Sequence, residues 1–284
     1  IGVFLFGFYL NSISQVTSLI WIFSIMAGIT FQRSRLCFAS SFRDLFLFGS
    51  TKTLKAILLG LMVSSFGFIL VMRSVVLDPT LGSVPSDPYI LPFGISTVIG
   101  GLLFGFGMVI SGGCVSGSLY RIGEGYVASL ATIFGVIIGL SALSLSWNWW
   151  WDLLIKNEPK IWLPQVLDMG YLGAFAVTLF LGLVIFIGLT IFEYKTGYKE
   201  FKFINKEAEF HSLKEKIMAP LYSIFKVPWS LTIGAIIIGF ISMFMLLIAK
   251  PFGVTGEFFA SSNRILDILG TTPLNKGLSD LGGC

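Results

Sequence analysis

What this sequence has least of is charge. Asp, Glu, Lys and Arg make up only 12% of its 284 residues, where a soluble domain carries about 25%. Hydrophobic residues reach 55% and the mean hydropathy is +0.88. A soluble globular domain is excluded. An all-α, polytopic membrane protein is expected, with the lipid bilayer as its first partner. The net charge of +4 gives no footing for a nucleic-acid partner, because most of it falls in connectors, where it sets topology.

Thiols and imidazoles are scarce too. Cys37, Cys114 and Cys284 form no CxxC pair, and the one histidine, His211, lies in a charged stretch. This excludes a disulfide-rich scaffold and argues against a zinc site; no metal and no cofactor is expected. Cys37 and Cys114 lie far apart in the chain and make no local pair. An initiator Met and a signal peptide are also missing, since the chain opens at Ile1 in an apolar run. The expectation is a piece of a longer protein.

What is present is a series of oily runs. Residues 1–11 read as the tail of a helix, and 12–18 as a polar connector. Residues 17–32 follow; at 1.5 Å per residue they reach about 24 Å, short of the roughly 30 Å hydrocarbon core. Residues 33–48 read as a short or re-entrant element. Full spans are expected over 53–72, 93–112, 125–143, 171–192 and 228–249. The connector 76–92 is acidic, with Asp78 and Asp87, and 144–169 holds a belt of Trp147, Trp149, Trp150, Trp151 and Trp162. Residues 193–227 are lysine-rich and expected on the cytoplasmic side. A polar break at 251–256 precedes a short interfacial helix over 258–269.

The chain turns on Ser111-Gly112-Gly113-Cys114-Val115-Ser116-Gly117-Ser118. Three glycines weaken helix here by about 1 kcal/mol each. Backbone that leaves the helix at membrane depth must be buried in protein or line a wet cavity. Aligning Cys37 on Cys114 puts Ser34 on Ser111 and Ser41 on Ser118, with Arg43 and Arg121 one position out of register. Two parallel repeats are expected, about 17–75 and 93–146, within one transporter domain over 1–284. Short broken helices would meet near the bilayer midplane. Paired, glycine-interrupted segments of this kind point to a transporter site.

The chemistry of the break favours an anion. Gly112 and Gly113 let the backbone expose amide N–H groups as a nest. A half-helix starting near Cys114 or Ser116 would aim its positive end at the same point. Ser111, Ser116, Ser118 and Cys114 offer side-chain donors. Arg35, Arg43 and Arg121 add positive charge towards the inner mouth, against only Asp44 and Glu124. A thiol is soft and suits a sulfur-bearing ligand. Plainer readings stand beside these. The cysteines and glycines could serve packing, and the serines could bond their own helix turn. The arginines could be positive-inside anchors, and Arg121 and Glu124 a local ion pair.

The stretches Arg35 to Leu47, Ser111 to Tyr126, and Pro251-Phe252-Gly253-Val254-Thr255-Gly256 resemble the YeeE/YedE family of sulfur-transport membrane proteins. The resemblance implies uptake of thiosulfate across the bacterial inner membrane, with thiols along a central constriction. Cys37 and Cys114 match family cysteines; Cys284 is not mapped onto the family's further Gly-Cys motif. A selenium-linked branch leaves a selenium compound as an alternative substrate. A small soluble cytoplasmic sulfur carrier, TusA-like, is the implied protein partner.

The expected substrate-binding set is Cys37, Cys114, Ser111, Gly112, Gly113, Ser116, Gly117, Ser118, Ser41, Arg43, Arg121 and Glu124, with no catalytic residue. The rival is a membrane thiol enzyme forming a persulfide at Cys114, its thiolate favoured by a helix N-terminus. Against it stand the missing base and the missing thiol pair. A structural subunit without substrate would leave the polar interruptions unexplained.

Overall fold

The computed structural model describes residues 7, 10, 12, 14–75, 92–166, 170–196, 228–248 and 253–271. The acidic connector, most of the lysine-rich segment, Pro251, Phe252 and Cys284 lie outside them. The described chain is helical, with no strand beyond one isolated bridge between Pro92 and Lys160. In chain order the helices are α1 (Gln15–Ser34), α2 (Phe38–Phe48), α3 (Lys52–Val75), α4 (Ile95–Ser111) and α5 (Val115–Gly123). Then come α6 (Val127–Leu153), α7 (Leu163–Val166), α8 (Gly170–Thr196), α9 (Leu231–Ile248) and α10 (Thr255–Ile268). Among the described residues, six stretches are long and apolar enough to cross a membrane, with α1–α2 and α4–α5 each counted as one. The protein is a multi-pass membrane protein.

Two expected boundaries move. α1 has 20 residues, about 30 Å at 1.5 Å each, so it is not short of the hydrocarbon core. It gains its last turn from Arg33 and Ser34, whose hydroxyl bonds back to Thr30 O at 2.6 Å. α6 runs on to Leu153 rather than ending at residue 143. No Gly or Pro interrupts 144–153. Trp147 and Trp151, one turn apart, stack at 6.5 Å. Most of the tryptophan belt is therefore a helix end, not a loop.

α9 is the innermost span, with 28% of its apolar window buried against 6–11% in the others. It packs most extensively on α3 and next on α1. Small residues allow this, as is usual where helices meet in lipid. A Cβ on Gly60 of α3 would lie 2.8 Å from Ala235 O, and one on Gly239 would lie 2.9 Å from Gly60 O. Ala27, Ile241 and Met245 bury together beside this seam, as do Leu36, Ala56 and Ala235.

The rest of the bundle is held by polar seams. Lys55 Nζ meets Glu193 Oε2 at 2.6 Å and Thr51 donates to the same oxygen at 2.5 Å, tying α3 to α8. Ser141 and Ser262 pair at 2.7 Å, and Ser144 donates to Asn263 Oδ1 at 2.6 Å, tying α6 to α10. Glu158 caps α4, accepting from Ser96 N at 2.7 Å and from the Ser96 hydroxyl. α4 itself has no buried residue.

Candidate functional site

The two breaks share a backbone plan. α1 stops at Ser34 and α4 at Ser111, and the next residue turns left-handed: Arg35 at φ +51° and Gly112 at φ +66°. Glycine adopts that conformation freely, while a side chain costs about 1–2 kcal/mol. Two residues on, Cys37 and Cys114 are extended and immediately precede α2 and α5. The expected half-helix start near Cys114 is where α5 begins.

The helix starts face each other. Cys37 Sγ lies 3.4 Å from Cys114 Sγ. These cysteines make no local pair in the sequence, but packing of α1 against α5 brings the breaks together and makes a spatial one. Gly117 completes the contact. Its N–H donates to Cys114 Sγ at 3.3 Å. A Cβ on it would lie 2.7 Å from Cys37 Sγ, so no larger residue fits without moving the sulfur. Cys37 is buried; Cys114 is half-buried.

Side chains brace the second break. Arg121 Nη1 donates to Gly112 O at 2.8 Å, and the Ser111 hydroxyl to Gly113 O at 2.8 Å. The Gly112 N–H is taken by Val109 O at 3.3 Å, so this amide is turned into its own helix end. Glu124 reaches the first break: its Oε1 is 3.9 Å from Arg35 Nη2 and accepts from Gln32 Nε2 at 3.4 Å. Arg43 holds Asp44 Oδ1 through Nε at 3.0 Å and Nη2 at 2.9 Å. Ser41 and Ser118 are fully buried, and the Ser41 hydroxyl bonds Phe38 O at 2.6 Å within its own turn.

Three cavities surround the breaks. Cys114 opens on one of about 800 Å³ between α4 and α6, which Ser111, Gly113 and Thr255 also line. A second, of about 600 Å³, is walled by Arg35, Arg43 and Arg121 together with Asp44 and Glu124. Three cations against two carboxylates leave it with a net positive charge. Ser111 and Ala128 line both. Ser116 faces a third, of about 770 Å³, between α1, α5 and α10, with Gln32, Tyr120 and Glu257. The described part of the third break adjoins the second: Thr255 shares a cavity with Ser111, Gly113 and Cys114, and Gly253 and Val254 share one with Ser116 and the last turns of α1. Gln32, Tyr120, Tyr126 and Thr255 line these cavities without having been expected in the site; Tyr120, Tyr126 and Thr255 were visible only as members of the quoted motifs.

The sulphur transport family model matches residues 33–279, which include both breaks and α10. The chain belongs to that family. Its relatives include "Probable transporter YedE" of Escherichia coli K12, 36% identical over 170 residues, covering 59% of this chain and 39% of the relative. "Thiosulfate transporter TsuA" of Spirochaeta thermophila is 35% identical over 124 residues, covering 43% of this chain and 35% of the relative. The protein of that name from Escherichia coli K12 is 32% identical over 113 residues, covering 40% and 30%. The chain thus matches about two fifths or less of the length of these relatives.

Proposed function

We propose that this protein carries thiosulfate, or a closely related small sulfur anion, across the bacterial inner membrane by way of Cys37 and Cys114. One observation carries the reading: two thiols meet at 3.4 Å where broken helices converge. On one side Cys114 opens on an apolar-walled cavity, and beyond the break lies a cavity walled by three arginines. A soft S–H donor matches the terminal sulfur of thiosulfate, and the arginines favour its double negative charge. The names of the thiosulfate-transporting relatives support the same substrate.

In this reading Cys37 and Cys114 donate to the anion in turn. Gly117 sets their spacing. Ser111 and Arg121 hold the break open, and Arg35, Arg43 and Arg121 draw the anion onward. Residues 17–75 and 93–146 act as two copies of one module. The segment 193–227 is cytoplasmic by its lysines, so the arginine-walled cavity is the inner mouth. Moving a dianion inward against an inside-negative potential costs about 4.6 kcal/mol at about 100 mV. Rapid consumption inside, through a small TusA-like sulfur carrier, offsets that cost.

The thiol pair also gives the rival, a membrane thiol enzyme, more ground than the sequence did. Growth on thiosulfate as sole sulfur source separates the readings. A strain lacking its own uptake system grows with this protein and fails with Cys37→Ala or Cys114→Ala. Growth unaffected by both substitutions overturns the proposal. A stable gain of one sulfur atom on Cys114 during uptake favours the enzyme.

A further inference from the structure

Cys37 and Cys114 sulfurs lie 3.4 Å apart, and a disulfide needs about 2.05 Å. An approach of roughly 1.3 Å therefore links them. Both cysteines precede their helices in extended backbone, so neither sulfur is fixed within a helical turn. Gly117 puts no Cβ between them. Their exposure differs in a telling way. Cys114 opens on the cavity of about 800 Å³, while Cys37 is only 2% exposed. One thiol opens on the cavity, and the other is buried directly behind it. That is the arrangement of an attacking and a resolving cysteine.

We infer that Cys37 and Cys114 form a reversible disulfide, made by hydrogen peroxide and undone by thiols, that closes the passage. The Cys114 thiolate attacks the peroxide. An S–O bond forms, the O–O bond breaks, and the leaving hydroxide takes a proton to become water. Cys37 then attacks the sulfenic sulfur of Cys114. The S–S bond forms, the S–O bond breaks, and a second water leaves with the Cys37 proton. Two electrons pass from the two thiols to the peroxide. Two equivalents of a thiol reductant return them, giving two thiols here and one disulfide of the reductant. The linked state has no S–H donor for an anion and ties the start of α2 to the start of α5. The disulfide stands on geometry alone; its effect on flux rests on the transport reading.

The test uses the full-length protein carrying Cys284→Ser, in membrane vesicles. Vesicles are treated with hydrogen peroxide and the thiols are counted with a maleimide-polyethylene glycol tag. Uptake of radiolabelled thiosulfate is measured on the same preparation. Both thiols should vanish together, with loss of two hydrogen atoms in the intact mass. Uptake should fall to the protein-free level, and dithiothreitol should restore both. In Cys37→Ser, Cys114 should instead accumulate oxygen and gain no link. Thiols that survive peroxide, or that oxidise separately in the unsubstituted pair, overturn the disulfide. A disulfide with undiminished uptake overturns the gate. No uptake in reduced vesicles overturns the transport reading and the gate with it, while the thiol count still decides the disulfide.

Discussion

The sulfur of Cys37 occupies the space that a side chain on Gly117 would need: a Cβ there would lie 2.7 Å from it. Gly117 belongs to α5, and Cys37 to the break before α2. One absent methyl group therefore lets the two breaks share a surface and their thiols touch. Gly117→Ala should cost about 1–3 kcal/mol as overpacking and push the sulfurs apart. Uptake of radiolabelled thiosulfate should fall to the level of Cys37→Ser, while the protein still reaches the membrane. Normal uptake in Gly117→Ala would remove the sulfur spacing from the account.

Arg121 has two possible roles, and conservative substitution separates them. Its Nη1 holds Gly112 O at 2.8 Å, bracing a left-handed turn. It also walls the arginine-lined cavity. Arg121→Ala should lower stability by about 1.5–3 kcal/mol, the range for a charge-assisted bond, and abolish most uptake. Arg121→Lys keeps the charge but not the planar fork. It should recover uptake more fully than it recovers the melting temperature in detergent. Recovery of stability without uptake would make the charge irrelevant to the anion.

The Lys55–Glu193 contact at 2.6 Å should behave as a structural staple between α3 and α8. The side chains are 20% and 26% exposed, so solvent screening keeps each single loss near 1–2 kcal/mol. Lys55→Met and Glu193→Gln should each lower the melting temperature. The double variant should lose less than the sum, by about 0.5 kcal/mol or more. Thiosulfate affinity should not change in any of the three. Strict additivity would mean the contact contributes nothing.

Much of this was legible in the sequence because the breaks carry their own chemistry. Gly112 is the residue a left-handed helix end calls for, and Cys114 followed by Val115 and Ser116 begins a helix where expected. The first break was harder, because Arg35 adopts the same conformation without being a turn-forming residue. Its counterpart Gly112 was the available clue. That Cys37 and Cys114 share one constriction was implied by the family resemblance, but their direct contact was not legible, since nothing local records which helix faces which. It arises from α1 packing on α5 and from the bare α-carbon of Gly117. The placing of Ser41 was likewise not legible: a buried hydroxyl in a helix can satisfy itself on its own turn, as Ser41 does on Phe38 O. The far end of α6 was missed because tryptophans suited to an interface are equally compatible with helix.

The central claim is that thiosulfate passes between the two facing thiols. It is tested most directly by radiolabelled thiosulfate uptake into proteoliposomes holding the full-length protein, compared with Cys37→Ser and Cys114→Ser, all kept reduced. The account predicts saturable uptake by the unsubstituted protein and loss of most of it in each variant, with folding intact by thermal melting. Equal uptake by all three proteins would contradict it.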